Sequence, residues 1–226
     1  MEKSYRYLPY FFAAFTVLVI YCFNQSYFSH IPDFENVISP IGNVPITITA
    51  ITHFHALMIT IWLLMLIVQP ILIIKKQVKW HRLVGKASYV VVALLVISIL
   101  MVVYQEQTRE KNLPIFAANL LDFPGFLAMY LFAVYFRKKP AYHARFMVMS
   151  IIAFLDPALA RLNIPGVYVG LGLWALLFVI EFFAGKTYKP YLIGLGYYIL
   201  NLGFVMYMMF ANQPLLDKIW HIFFKN

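Results

Sequence analysis

Two histidines open a long apolar stretch of the chain, which reads THFHALMITIWLLMLIVQP over residues 52–70. In a helix each residue turns the side chain by about 100°, so His53 and His55 point about 200° apart. They therefore cannot bind one ion as neighbours on a single helix face, as residues four apart do. His55 shares a stripe with Trp62 and Gln69. We predict that His55 faces the protein interior, with Trp62 in the wall of its site, and that His53 meets the interface.

Two aspartates, Asp122 and Asp156, lie inside apolar stretches of the second half of the chain. A charged side chain in hydrocarbon costs about 2.5–3.5 kcal/mol, so each one needs a partner or a function. With a rise of about 1.5 Å per residue, both aspartates lie roughly 20 Å along their helices, and His55 lies about one or two turns further. Imidazole and carboxylate groups together suit zinc, manganese or iron. We therefore predict a metal or polar-ligand site near the outer face, formed by His55, Asp122 and Asp156, with His53 as a further candidate.

Other polar side chains accompany this predicted site, namely Gln69, Asn119 and Arg161. A structural interpretation stands beside the functional one: the aspartates pair with Arg161, or they cap the chain near Pro124 and Pro157, where a proline leaves a backbone carbonyl without its usual donor. A catalytic metal would hold a water of lowered pKa, and a lipid substrate would enter from the bilayer. The pattern assigns no catalytic residue and does not decide whether the protein is an enzyme.

A second group of candidates is a pair of short basic motifs, His81-Arg82 and His143-Ala-Arg145, each at the start of an apolar stretch. Two imidazoles from different helices are suitable axial ligands for haem b, and the arginines would pair with its propionates. A quinol would then be the natural electron donor. The alternative is that these residues anchor lipid headgroups and set the orientation of the chain.

A third function class is small proton-coupled transport. Buried acids, imidazoles and proline-containing helices are suitable parts of a proton relay. The short chain and the lack of visible internal repeats argue against this class.

The elements that must position these residues follow from composition. Of 226 residues, 63% are hydrophobic and only 12% are charged, and the mean hydropathy is +0.78. A membrane-spanning helix needs about 20 apolar residues, and seven stretches come close to this length or exceed it: 8–24, 47–74, 83–104, 113–136, 143–163, 166–184 and 190–211. We predict an all-α integral membrane bundle, in which residues 1–226 form a single domain of seven transmembrane helices in contact with the lipid bilayer.

The basic residues indicate the orientation of this bundle. Thirteen of the 18 lysines and arginines fall in residues 3–6, 75–86, 137–145 and 186–189, on one side of the predicted bilayer. The positive-inside rule then places the N-terminus in the cytoplasm and the C-terminus outside. Because the net charge of +9 resides in loops between spans, we expect no nucleic-acid partner, and the oligomeric state is left open.

Two further features limit the chemistry. Cys22 is the only cysteine, so an internal disulfide, a thiolate cluster and a CxxC redox pair are all excluded. The longest connection, residues 24–46, is rich in Pro, Ser and Asn, and we predict that it covers the outer end of the bundle.

Three motifs carry a family resemblance. A His-containing helix ends in Gln (HALMITIWLLMLIVQ), the next helix opens with HRLVG, and a later one reads YHARFMVMSIIAFLDPALARL. In these motifs the chain resembles a group of uncharacterised bacterial polytopic membrane proteins, over the second to fifth stretches. The resemblance implies about seven helices in the bacterial cytoplasmic (inner) membrane but no known activity. It marks as motif positions His55, Gln69, His81, Arg82, His143, Arg145 and Arg161. The chain is also similar to b-type cytochromes, which hold haem between facing helices.

Overall fold

The computed structural model describes residues 6–41, 43–184 and 189–224, and this part of the chain is mostly helical. Lys3, Lys186 and Lys225, which belong to the charge pattern, lie outside the described residues. Backbone contacts divide the chain into two compact units, Met1–Gln105 and Glu106–Asn226. The single-domain arrangement stays a prediction.

In the part of the first unit that the structure describes, three α-helices are accompanied by a 3₁₀ turn at Phe28–His30 and a short hairpin. Its helices are α1 (Leu8–Phe23), α2 (Ala50–Ile74) and α3 (Val78–Arg109), and the last residues of α3 belong to the second unit. The hairpin pairs β1 (Ile38–Ser39) with β2 (Val44–Pro45) in antiparallel register, Ile38 opposite Pro45.

Helices α1 and α2 pack against each other through apolar faces. Phe12, Phe15 and Val19 recur on one face of α1 and are buried, as is Trp62 on α2. Cys22, at the end of α1, is only 1% exposed. Spacings of three and four residues place these side chains on one stripe of the helix, which is why it packs by that face.

The described residues of the second unit form six α-helices, which are α4 (Leu113–Tyr135), α5 (Pro140–Met149), α6 (Leu155–Leu159), α7 (Gly166–Phe183), α8 (Lys189–Met206) and α9 (Gln213–Phe224). Single 3₁₀ turns lie at Ile152–Phe154 and Ala160–Leu162, and a π-helical turn covers Tyr207–Ala211. Helix α4 contacts α5, α8 and α9. One apolar core joins α4 to α8 and α9 through Phe116, Leu121, Val205 and Trp220.

Among the described residues, five helices are long and apolar enough to cross a membrane: Ala50–Ile74, Val78–Arg109, Leu113–Tyr135, Gly166–Phe183 and Lys189–Ala211. These helices are those of a membrane protein. The predicted first span is the shorter helix α1, with 16 residues. The predicted span 143–163 is not one helix, because α5, two 3₁₀ turns and the five-residue α6 replace it. Pro157 cannot donate a backbone hydrogen bond, and Asn163 takes a left-handed conformation with φ of 56°.

Candidate functional site

A small cavity lies inside the second unit, between α4, α5, α7 and α8. Its volume is about 20 Å³, which is room for about one water molecule. Its lining includes the polar residues Asp122, Trp174, Tyr197 and Tyr198. The cavity therefore suits a proton, a water or another very small polar guest, and it is far too small for haem or a lipid.

Asp122 is the carboxylic acid in the lining of this cavity. No residue that the structure describes donates a hydrogen bond to its carboxyl group. The carboxyl groups of Asp122 and Asp156 interact electrostatically, and both act on the Tyr198 hydroxyl. Trp174 is 3% exposed, and within the described part of the chain its indole N–H finds no acceptor. Buried polar groups without partners are costly, so this group of donors and acceptors fits a small polar guest.

Asp156 has a different environment. Its carboxyl group accepts hydrogen bonds from the backbone N–H groups of Gly166 and Val167, at the start of α7. A negative charge is favourable at the N-terminus of a helix. A Cβ atom at Gly166 would come within 2.9 Å of the Asp156 backbone nitrogen, so only glycine permits this approach. Asp156 therefore caps the start of α7, which differs from the predicted capping beside a proline.

Pro124 leaves a backbone carbonyl group of α4 without its usual donor, and a residue of α8 donates a hydrogen bond there. Pro124 has no N–H for the carbonyl group of Leu120, four residues earlier. The side-chain amide of Asn201 donates to the carbonyl oxygens of Leu121, at 2.9 Å, and Leu120, at 3.5 Å. Asn119 lies nearly one turn before Asp122, and its amide nitrogen is buried without an acceptor in the described chain. Sequence reasoning missed Asn201, although an asparagine in an apolar stretch was a usable signal.

Arg161 ends the broken region after α5. Its guanidinium group donates to the backbone carbonyl oxygen of Pro157, and it interacts electrostatically with Glu106. Arg161 therefore contacts a carbonyl group and a glutamate, and its predicted pairing with the two aspartates stays a prediction.

In the first unit, His55 contacts a serine that sequence reasoning missed. His55 Nδ1 lies 3.0 Å from the Ser98 hydroxyl, and that hydroxyl donates to the Leu95 carbonyl at 2.7 Å. Because a hydroxyl group has one proton to donate, Ser98 accepts from the Nδ1–H group of His55. In a neutral imidazole with this tautomer the lone pair is on Nε2, the arrangement that metal-binding histidines use.

His53 is exposed and lies against the connection that follows α1. Its Nδ1 atom is 2.6 Å from the Tyr27 hydroxyl, and its ring meets the Phe34 ring edge-on, with centroids 4.7 Å apart. Residues of the 24–46 connection therefore cover the start of α2 around His53.

Three motif residues meet where α2 turns into α3. With its amide oriented by the hydrogen-bond pattern, Gln69 donates to Nδ1 and to the backbone oxygen of His81, the latter at 3.3 Å, and accepts from the Gly85 N–H at 2.8 Å. Arg82 in the same motif is exposed, as a headgroup-anchoring residue would be. The hydrogen bonds of Gln69 with His81 and Gly85 therefore connect α2 to α3.

The second basic motif lies on α5, in the other unit. His143 Nδ1 is 2.8 Å from the Ala133 carbonyl oxygen. Arg145 is buried and forms an ion pair with Glu181 of α7, at 2.7 Å. Sequence reasoning missed Glu181, although a lone acid in the apolar stretch of α7 was a signal that could have found it.

The predicted metal and haem sites each combine residues of both units. Among the described residues, no group of three or more His, Cys, Asp or Glu side chains could hold a metal ion, whereas catalytic zinc uses three protein ligands. His55 belongs to the first unit, and Asp122 and Asp156 belong to the second. His81 and His143 are divided in the same way, so both predicted sites stay predictions.

Comparison with family models, with curated proteins and with solved structures found no match to this chain.

Proposed function

We propose that this chain is a small proton-coupled membrane transporter, in which Asp122 binds and releases the proton. The observation that carries the proposal is the placement of Asp122 in a water-sized cavity, without a hydrogen-bond donor among the described residues. An ionisable residue within a membrane-spanning helix commonly marks a path for protons or ions. Helix α4 supplies this residue from a membrane-spanning length of chain.

The neighbours of Asp122 support proton exchange rather than a static ion pair. Tyr198 and Trp174 line the same cavity and bring a hydroxyl group and an N–H donor. A water held by these groups would link the carboxyl group to them. Asp156 interacts electrostatically with Asp122. A change of charge at one carboxyl group therefore alters the electrostatic energy of the other.

The test is proton flux in liposomes that contain purified protein and a pH-sensitive dye, driven by a potassium diffusion potential. Wild type is expected to acidify the liposomes, and Asp122→Asn to lower the flux at least tenfold. The matched control is Asp217→Asn, which makes the same change at an exposed site on α9. Wild-type flux equal to that of empty liposomes, or unchanged flux in a folded Asp122→Asn protein, would contradict the proposal.

A second candidate function is metal or polar-ligand binding by His55. It is favoured by the contact with Ser98, which orients the imidazole with Nε2 as the ligand atom. Zinc, manganese or iron would be the expected metals. Elemental analysis of the purified protein tests this candidate: a stoichiometric metal should be lost in His55→Ala and kept in His53→Ala.

We infer that the chain resides in a bacterial cytoplasmic membrane with its N-terminus inside. The asymmetric distribution of lysines and arginines supports this orientation. Reporter fusions at both termini measure it, and seven spans would place the two termini on opposite sides of the membrane. Termini on the same side would rule out an odd number of spans.

A further inference from the structure

A second buried acid, Glu181, lies in the same unit as Asp122 but outside its cavity. Glu181 on α7 is 8% exposed, and its partner Arg145 on α5 is 2% exposed. Removing two charges from water is costly, and a buried ion pair is weak evidence for stability alone. In a membrane protein such a pair marks a function by default.

The ion pair lies on the same helix faces as the cavity. Met149, which lines the cavity, follows Arg145 by four residues on α5, and Trp174 precedes Glu181 by seven residues on α7. These intervals keep side chains on one face of a helix. With a rise of about 1.5 Å per residue, the separations along the helices are about 6 Å and about 10 Å. The two polar centres are therefore one to two turns apart.

An apolar constriction lies between these centres. A Cβ atom at Gly194 would clash with the Met149 sulfur and lie 2.7 Å from Trp174 Cη2, so these three residues are closely packed. The Trp174 ring lies 6.4 Å from the Tyr191 ring and 6.4 Å from the Tyr198 ring, measured between centroids. Met149 has a flexible side chain that adopts alternative packing easily. Its movement would connect the cavity to the ion pair.

The geometry of the pair leaves Glu181 able to take a proton while Arg145 stays in place. Arg145 Nε and Nη2 lie 2.9 Å and 2.7 Å from the same oxygen of Glu181, Oε1. Arg145 also donates to the Ala141 carbonyl at 3.0 Å, and its guanidinium group lies 5.8 Å from the centre of the Tyr191 ring. These contacts position the arginine in addition to its ion pair with Glu181.

We propose that Glu181 is a second proton-binding residue, which exchanges protons with Asp122 when Met149 and Trp174 move apart. The inference rests on the proposed function of Asp122. The Asp122 carboxyl group gives its proton to water, and Oε2 of Glu181 takes a proton from water. Asp122 becomes a carboxylate and Glu181 a neutral acid, and no other bond changes. The titratable and charged groups at Glu181 include Arg145 from α5, which pairs with it, and Tyr191 from α8, whose ring lies beside the Arg145 guanidinium group.

The test measures proton flux in the liposome assay for Glu181→Gln and Glu181→Asp. Glu181→Gln is expected to lower flux at least tenfold, because an amide cannot take up the proton. Glu181→Asp keeps an acid and is expected to retain measurable flux. Wild-type flux in Glu181→Gln would overturn the inference.

A neutral double variant separates proton binding from a purely structural role. Arg145→Gln combined with Glu181→Gln removes both charges, so it avoids the unpaired buried arginine of the single variant. If Glu181 binds the proton, the double variant is folded by thermal unfolding in detergent but remains inactive. Recovery of wild-type flux in the double variant would show that the pair is only structural and would overturn the inference.

The two proposals fail in different ways. If Asp122→Asn abolishes flux and Glu181→Gln does not, the role of Glu181 fails and that of Asp122 stands. If Asp122→Asn has no effect, the proposed function fails, and the inference about Glu181 fails with it.

Discussion

The side-chain amide of Asn201 on α8 donates a hydrogen bond of 2.9 Å to the carbonyl oxygen of Leu121 on α4. The bond lies next to Pro124, which interrupts the backbone hydrogen bonds of α4. One polar side chain thus stabilises a helix that its own sequence weakens, and this helix carries Asp122.

Replacing Asn201 by leucine should destabilise the protein by about 1 kcal/mol, the scale measured for hydrogen bonds between membrane helices. Unfolding in detergent micelles measures the loss. In a Pro124→Ala background, where residue 124 again has an N–H, the same substitution should cost less. Equal costs in the two backgrounds would show that Asn201 does not compensate for the proline.

Gly194→Ala should destabilise the protein by about 1–3 kcal/mol, because the added methyl group overpacks the contact with Met149 and Trp174. Gly196→Ala is the matched control on the same helix, since a Cβ atom there meets nothing within 4 Å. Thermal unfolding of both variants in the same detergent gives the comparison. Equal stability of the two variants would contradict the close packing of Gly194.

Gln69→Leu should weaken the turn between α2 and α3, because His81 and Gly85 lose their common partner. The expected cost is about 1–2 kcal/mol. Gln77→Ala, at an exposed position nearby, should change stability little. Limited proteolysis and thermal unfolding measure the stability of the turn in both variants. Similar results for the two would argue against a stabilising role of the Gln69 hydrogen bonds.

The exposed Asp217 on α9 makes a pH-dependent contribution. Its hydrogen bond with Lys111 lowers the pKa of the Asp217 carboxyl group below its usual range, with further lowering from the charges of Lys111 and His221. A lowered folded-state pKa gives stabilisation that is present above the ordinary pKa and is lost as pH falls through the folded value. The small excess stability of wild type over Asp217→Asn should therefore disappear on acidification. Glu110→Gln, another exposed acid, serves as the control, and an excess that persists at low pH would exclude this contact.

The long helices could be predicted because length and apolar composition alone decide whether a segment can cross a bilayer. The stretches 47–74, 83–104, 113–136, 166–184 and 190–211 all correspond to helices of that kind. The interruption of 143–163 could not be seen in hydropathy, which does not register the missing N–H of Pro157 or the left-handed turn at Asn163.

The candidate site was predictable only in part. An aspartate in an apolar stretch stands out, and Asp122 does line a cavity. Its surroundings depend on tyrosine and tryptophan residues of α7 and α8, which are common in membrane helices and carry no signal of their own. Ser98 and Asn201 were missed for the same reason, since they matter through the groups they face.

The burial of Cys22 limits the reaction of the native chain with thiol reagents. A thiol that is 1% exposed at the end of α1 is shielded from water-soluble alkylating reagents, which need an accessible thiolate. A cysteine introduced at an exposed position would then be the one that reacts, so spectroscopic labels can be attached to otherwise native protein.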